Sequence, residues 1–212
     1  MIKNYFKIGW RNLLKNKVTS GINILGLAIG ISTCLIIFSL TRFELSYEDF
    51  RENTENVYRI TSKFKDKDGG FSYNAGISAP IPPVMVNEVK GIENSTFFRI
   101  FWAKALVPNG NNPKFFPQPD YGPNTRIDMI ICRDSYFDIF KAEWLVGSAS
   151  SSLSEPNKVV LTESKMHKYF GNIDPQNALG KQVIYEDSLQ TTVSGIIKDV
   201  PYNSDFRFND YI

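Results

Sequence analysis

The sequence predicts one membrane-spanning helix followed by an α+β domain, and three observations support this prediction. Residues 18–41 contain no charged side chain, and most of them are apolar. The five charges of residues 1–17 are all basic, whereas residues 42–212 carry 19 basic and 22 acidic side chains. From residue 57 to residue 212, short strand patterns are interleaved with short helix patterns, which is typical of an α+β domain. The net charge of the whole chain is only +2, so we expect no nucleic-acid partner.

The uncharged run over residues 18–41 is the strongest single signal. Its 24 residues exceed the length of about 20 that a helix needs to cross a bilayer. A helix buried in a soluble protein is the alternative, but a chain of 212 residues has little room to bury such a helix on all sides. A cleaved signal peptide would have a shorter apolar core, of roughly 7–15 residues, and a small-residue cleavage site, which does not follow this run. We therefore predict a transmembrane helix.

The basic segment of residues 1–17 determines the predicted topology. Lys and Arg directly before a span place the amino terminus in the cytoplasm, so residues 42–212 are expected outside it. The segment can form a short amphipathic helix suited to the surface of an anionic inner leaflet. Its apolar side would carry Ile2, Tyr5, Phe6, Leu13 and Leu14. A basic flank without structure of its own is an equal alternative.

Within the span, four small or polar residues fall on roughly one helical face. Gly26 and Gly30 form a G-x-x-x-G pair, and Asn23 and Cys34 extend the same face. Small residues allow a second helix to approach closely, and an amide near lipid prefers a hydrogen-bonding partner. We predict that this face packs against another helix rather than against lipid.

The remaining elements follow from local patterns. Residues 42–56 are expected to continue the helix out of the membrane as a stalk, and residues 57–212 to form the α+β domain. β-branched and aromatic residues predict strands over residues 57–64, 95–107, 126–132, 157–161, 181–185 and 191–197. Capping and stop signals predict short helices over residues 81–89, 135–140 and 163–170. The proline-rich residues 108–125 are expected to form a loop.

Few residues could carry catalysis or bind a metal. His167 is the only histidine, and no Cys or His lies at ligand spacing from it, so we interpret it as a surface residue. Cys34 falls in the predicted span and Cys132 outside it, so the two cannot pair, and Cys132 is expected to be a buried thiol. The sequence contains no G-x-S-x-G and no G-x-x-x-x-G-K-[ST] motif. We therefore predict no enzyme, cofactor or metal site, although a membrane-anchored hydrolase using Ser and Lys stays an alternative.

A set of segments resembles one family of membrane proteins. Residues 10–17 (WRNLLKNK), 22–30 (INILGLAIG), 44–50 (ELSYEDF) and 57–60 (VYRI) resemble the amino-terminal part of MacB/FtsX-like ABC transporter permeases. The segments similar to the MacB-like periplasmic core domain of these permeases are 136–140 (YFDIF), 145–147 (LVG), 159–163 (VVLTE), 168–171 (KYFG), 179–181 (LGK), 193–197 (VSGII) and 199–204 (DVPYNS). They occur in the expected order over nearly the whole chain.

The resemblance implies a role in transport. Such permeases have one amino-terminal membrane helix, a large periplasmic domain and further membrane helices, and they pair as dimers in the inner membrane. The resemblance therefore implies four kinds of partner: a cytoplasmic ABC ATPase subunit, a second permease copy, periplasmic or outer-membrane proteins, and membrane lipid. The ATPase would move the periplasmic domain mechanically, for export, lipoprotein release or regulation of the envelope.

One feature departs from the family pattern. Residues 206–212 are strand-like, and no apolar span follows them, so we expect either a fragment, which we favour, or a truncated product that cannot transport alone. In either case the periplasmic domain would be incomplete at its carboxyl end and would leave an edge strand unpaired. The alternative function is a membrane-anchored extracytoplasmic adaptor without an ATPase partner. In an adaptor the face formed by Gly26 and Gly30 would be exposed to lipid, and replacing these glycines by Leu would be harmless.

Overall fold

The computed structural model describes residues 2–51, 54–118 and 128–212. It divides the chain into two compact units, Met1–Phe50 and Arg51–Ile212. The first unit is helical, and the second contains a large mixed sheet with short helices. The predicted combination of an amino-terminal apolar helix and an α+β domain is therefore confirmed.

The first unit consists of two helices, α1 (Ile2–Lys15) and α2 (Lys17–Glu44). They are separated only by Asn16, whose ψ of 58° is far from the helical value of about −42°. With 28 residues, α2 would extend about 42 Å, which exceeds the thickness of about 30 Å of a bilayer's hydrocarbon core. No described residue of α2 is buried, so the helix is long and apolar enough to cross a membrane.

The basic segment has structure of its own, because residues 2–15 form α1. Tyr5, Leu13 and Leu14, three of the five residues expected on its apolar side, are exposed. The side chains of the other two, Ile2 and Phe6, lie outside the described part of the chain.

α2 ends at Glu44 and does not continue as a stalk over residues 42–56. The amide of Ser46 donates to the carbonyl oxygen of Phe43 at 3.1 Å, and the Ser46 hydroxyl donates to the same oxygen at 2.7 Å. Side-chain competition of this kind ends helices. Glu48 then has a φ of 60°, which a continuing right-handed helix excludes. The prediction of a helical stalk is therefore wrong for the described residues beyond Glu44.

In its described residues, the second unit contains eleven strands and four α-helices. In chain order they are β1 (Ser62–Lys65), β2 (Phe71–Asn74), α3 (Ile81–Glu88), β3 (Phe98–Phe101), β4 (Ala105–Val107), β5 (Lys114–Phe116), β6 (Met129–Cys132), α4 (Tyr136–Ile139), β7 (Trp144–Val146), α5 (Ala149–Ser152), β8 (Lys158–Thr162), α6 (Glu163–Phe170), β9 (Gln182–Tyr185), β10 (Leu189–Ile197) and β11 (Asp210–Tyr211). Short 3₁₀ turns lie at Thr54–Asn56 and Pro175–Ala178.

Several of these bounds differ from the predicted ones. The strand expected over residues 57–64 begins only at Ser62 and pairs with β2, which was not predicted. The long strand expected over residues 95–107 is broken into β3 and β4, which lie at different places in the sheet. The predicted loop of residues 108–125 contains β5, and residues 119–127 lie outside the described part. The helix expected over residues 163–170 has those bounds in the structure.

Nine of the described strands form one mixed sheet. Eight follow the order β3-β6-β11-β8-β10-β9-β4-β5, and β7 pairs with β10 beside this path. β11 lies inside the sheet, parallel to β6 and antiparallel to β8. β11 is therefore an interior strand of the described sheet, and the edges of the path are β3 and β5.

The sheet has a core on each face, because neighbouring residues of its strands point to opposite sides. One core includes Val159, Leu161 and Val193, and packs under α6. The other includes Val160 and Ile197 and is rich in aromatic rings. Its members in mutual ring contact include Phe98, Tyr136, Phe137, Phe140, Phe206, Phe208 and Tyr211. A sheet covered on both faces is a stiff body, since its interior is close-packed.

Candidate helix-packing face and a buried ionic cluster

The four residues of the predicted helix-packing face lie on one side of α2. At 100° per residue, Asn23, Gly26, Gly30 and Cys34 fall within about 80° of arc. All four are exposed, and a Cβ atom placed on either glycine would meet no atom within 4 Å. No described residue covers this face, so its packing against a further helix stays a prediction.

One polar side chain of α2 is satisfied within the helix. The hydroxyl of Thr33 donates to the carbonyl oxygen of Ile29 at 2.9 Å. Ser and Thr side chains satisfy their hydroxyls by this bond where no water is available.

The sheet domain contains a buried ionic cluster, centred on the carboxylate of Asp210. Asp210 starts β11 and is fully buried, between Met129 of β6 and Leu161 of β8 in register. The hydroxyls of Tyr169 and Tyr185 both donate to its Oδ2 atom, at 2.8 and 2.7 Å. These bonds connect α6 and β9 to β11.

The positive charge of the cluster comes from Lys165 on α6. Its Nζ lies 3.0 Å from Oδ2 of Asp128 and 3.4 Å from Oδ1 of Asp210. Among the described residues, none makes a hydrogen bond of good geometry to the buried Oδ1 of Asp210, and Lys165 interacts with this atom through its charge. Asn209 completes the cluster by donating from Nδ2 to Oδ1 of Asp128 at 2.6 Å.

Burial and charge together shift the pKa values of the cluster. It raises the pKa of Asp210, although Lys165 and the two tyrosine hydroxyls act in the opposite direction. Burial alone would lower the pKa of Lys165, but the charges of Asp210 and Asp128 outweigh it and raise this pKa above its ordinary value. Burial and the charge of Asp210 also raise the pKa of Tyr169 and of Tyr185.

This arrangement is suited to holding elements together rather than to chemistry. A Lys165 with a raised pKa remains an ammonium ion at neutral pH, and an ammonium ion is neither a base nor a nucleophile. Its hydrogen bond is made to a carboxylate rather than to a serine hydroxyl. The cluster therefore gives no support to a hydrolase that uses Ser and Lys, and it ties α6, β6, β9 and β11 to one another.

The other residues considered from the sequence lie apart from this cluster. The Nδ1 atom of His167 is 3.1 Å from the carbonyl oxygen of Gly171, in the last turn of α6. Within the described ranges, no group of three or more His, Cys, Asp or Glu side chains could hold a metal ion. Cys132 is half-buried, and its burial, with the nearby charge of Asp134, raises the pKa of the thiol to about 12.

Comparison with known families gives one match that covers most of the chain. Residues 20–212 match the family model of the MacB-like periplasmic core domain. The matched range starts inside α2 and includes the whole sheet. Among curated proteins, none matches the chain significantly.

Two crystal structures resemble the fold. A domain of a candidate permease protein from Porphyromonas gingivalis superposes with a TM-score of 0.55 at 18% identity, over 72% of this chain and 60% of that one. The periplasmic region of MacB from Actinobacillus actinomycetemcomitans gives a TM-score of 0.41 at 21% identity, over 60% of this chain and 51% of that one. This chain thus spans less than two thirds of the length of either, and the first likeness supports a common fold.

Proposed function

Because the chain belongs to the MacB-like periplasmic core domain family, we propose that it forms the amino-terminal portion of an ABC transporter permease subunit. In this proposal α2 crosses the inner membrane, and the sheet domain lies on the periplasmic side. The subunit passes motion from a cytoplasmic ATPase to the periplasmic domain, for export, lipoprotein release or regulation of the envelope. The observation that carries the proposal is the single family match that includes both the apolar helix and the sheet.

The charge distribution supports the proposed orientation. Four basic residues precede α2, a fifth, Lys17, is its first residue, and no acidic residue precedes it, which favours a cytoplasmic amino terminus. The cytoplasmic side is also where an ATPase subunit would dock.

The proposed transmitting parts have the properties that transmission needs. A helix keeps all its backbone hydrogen bonds internal, so α2 can shift in the membrane as a unit. Its open face of Asn23, Gly26, Gly30 and Cys34 would let a membrane helix, from a second permease copy or another part of the transporter, pack closely enough to move with it. The two-faced core and the ionic cluster let the sheet domain respond as one body.

The first experiment is affinity purification of the tagged protein, expressed from its native gene, out of mildly solubilised membranes. Recovery of an ABC ATPase at comparable stoichiometry, together with a second, differently tagged copy, is the expected result. Recovery of the protein alone, or only with extracytoplasmic proteins, would contradict the proposal and favour a membrane-anchored adaptor.

A pair of variants links this result to the helix face. Gly26→Leu with Gly30→Leu fills the open face and should strongly reduce recovery of the partners. Gly21→Leu is the matched control, because Gly21 lies about 160° from Asn23 on the same helix and a Cβ there also meets no atom within 4 Å. Equal recovery with all variants would exclude this face as the packing surface.

A further inference from the structure

The basic residues of α1 lie on one side of the helix, together with Leu14, and most of its apolar residues lie elsewhere. Lys3, Lys7, Arg11 and Lys15 recur every four residues, so each is displaced only about 40° from the previous one around the helix. Tyr5 and Leu13 lie on the other side, and both are exposed. α1 carries no acidic residue. It therefore has a cationic side and an apolar side, and no described residue buries either one.

Asn16 interrupts the helical backbone between α1 and α2. An open crevice is lined by Gly9, Asn12 and Leu13 of α1 and by residues 16, 19 and 20. These positions recur every three or four residues, so they form one side of the helical segment. Lys7 and Arg11 each lie about 160° around α1 from Gly9, so they are on the opposite side.

This geometry matches a helix that lies on a membrane. A helix lying in the interface turns its apolar side to the acyl chains. The exposed Tyr5 and Leu13 are on that side of α1. The lysines and the arginine face the headgroups and water, as in other interfacial helices.

We infer that α1 binds the anionic headgroups of the membrane leaflet through which α2 enters. The inference rests on the proposed membrane span of α2, with which α1 is continuous except at Asn16. Charge complementarity identifies the partner as anionic lipid, because every charge of residues 1–17 is positive. Each basic side chain near an anionic surface raises the affinity for it by about fivefold, so four on one side of a helix select strongly against zwitterionic lipid.

The test measures lipid selectivity on the full chain reconstituted in bilayers. Spin-labelled phosphatidylglycerol and phosphatidylcholine report, by electron paramagnetic resonance, the relative association constant of the two lipids with the protein. We expect a clear preference for phosphatidylglycerol that weakens at 1 M salt, because the Debye length there is only about 3 Å. In the variant K3Q/K7Q/R11Q/K15Q the relative constant should fall to about 1, the value for no preference.

A matched control isolates charge from helix structure. The variant K3R/K7R/K15R keeps every charge and a good helix former at each position, so it should retain the preference. If the neutral variant kept the preference, or the unchanged protein had none, the inference would be overturned.

A second measurement distinguishes a failure of the inference about α1 from a failure of the proposed function. A water-soluble maleimide is applied to the same bilayers, and its adducts are located by mass mapping. Protection of Cys34 together with absent lipid selectivity leaves the membrane span intact and overturns only the role of α1. Labelling of Cys34 contradicts the span itself, and the inference about α1 fails with it.

Discussion

The phenol of Tyr185 donates a 2.7 Å hydrogen bond to the carboxylate of Asp210 across two intervening strands, β8 and β10. In a flat sheet, strands separated in this way are about 14 Å apart, which is more than a Tyr and an Asp side chain can bridge. The bond therefore requires a strongly twisted and coiled sheet. The bond also couples β9 to β11, because a loss of sheet curvature would leave the buried Asp210 carboxylate without one of its hydrogen-bond donors.

Removing the positive charge of the cluster should destabilise the domain severely. Lys165→Met leaves the fully buried Asp210 carboxylate without its counter-charge, and loss of one partner of a buried ion pair costs about 3–5 kcal/mol. We expect this loss in the free energy of unfolding, measured by urea denaturation of the detergent-solubilised chain. Lys198→Met is the control, because the ion pair of Lys198 with Glu143 is exposed on both sides and should matter much less. If the two substitutions lowered the free energy of unfolding by similar amounts, the buried cluster would not be a main source of the domain's stability.

The domain should lose stability at alkaline pH. The pKa of Tyr185 is raised, mainly by burial, above its ordinary value of 10.0, and that of Lys165 is raised above 10.5 by the two aspartates. Above about pH 10 the unfolded chain therefore releases protons that the folded domain retains, so the free energy of unfolding falls as pH rises. Each such group contributes up to about 1.4 kcal/mol per pH unit in this window.

Tyr185→Phe tests the source of this pH dependence. The variant removes one titrating group, so its free energy of unfolding should fall less steeply between pH 10 and 11.5 than that of the unchanged protein. The slopes are compared, rather than the absolute values, because the variant also lacks the hydrogen bond to Asp210. Identical slopes would show that Tyr185 titrates normally in the folded domain.

Gly195 is required by close packing in the bulged part of β10. A Cβ atom there would lie 2.6 Å from Cζ3 of Trp144 and 2.8 Å from Oγ of Ser152, so Gly195→Ala should cost about 1–3 kcal/mol by overpacking. A melting temperature of Gly195→Ala below that of the unchanged protein, measured by near-ultraviolet circular dichroism, would demonstrate this destabilisation. Gly70→Ala is the matched control, because the nearest atom there, Oδ2 of Asp66, is 3.6 Å away. A melting temperature for Gly195→Ala as high as for the control would rule out the clash.

The thiol of Cys132 should react slowly at neutral pH. With a pKa of about 12, only a very small fraction is thiolate, the reactive form. In a Cys34→Ser variant, the rate of alkylation by iodoacetamide should therefore still rise about tenfold between pH 10 and 11, where an ordinary thiol is already mostly thiolate. A rate that levels off by about pH 10 would show that burial does not control the pKa of this thiol.

Local patterns were sufficient for elements whose determinants are close in the chain. Thr162 precedes the helix and Gly171, with a φ of 82°, ends it, so α6 could be predicted to the residue. The uncharged run likewise predicted the start of α2 within one residue, because composition alone determines whether a helix suits lipid. The end of α2 at Glu44 was not predicted, since the helix was expected to continue to residue 56.

Long-range pairing could not be predicted in this way. Residues 206–212 look like any exposed strand, and nothing local to them indicates that β11 is inserted between β6 and β8. The ionic cluster was missed for the same reason, since its members come from four distant segments. One signal was available: Lys165 is four residues before Tyr169, so it lies on the apolar side of α6 together with Met166.

The interior position of β11 has a consequence for how the domain assembles. β6 and β8 are synthesised well before β11, yet they pair with it and not with each other. Until residues 209–212 arrive, each of them presents an open row of backbone donors and acceptors, which is a template for incorrect pairing with another chain. Closure of the sheet is therefore a late, non-local event, of the kind that slows folding, and a nascent chain needs shielding longest at these two strands.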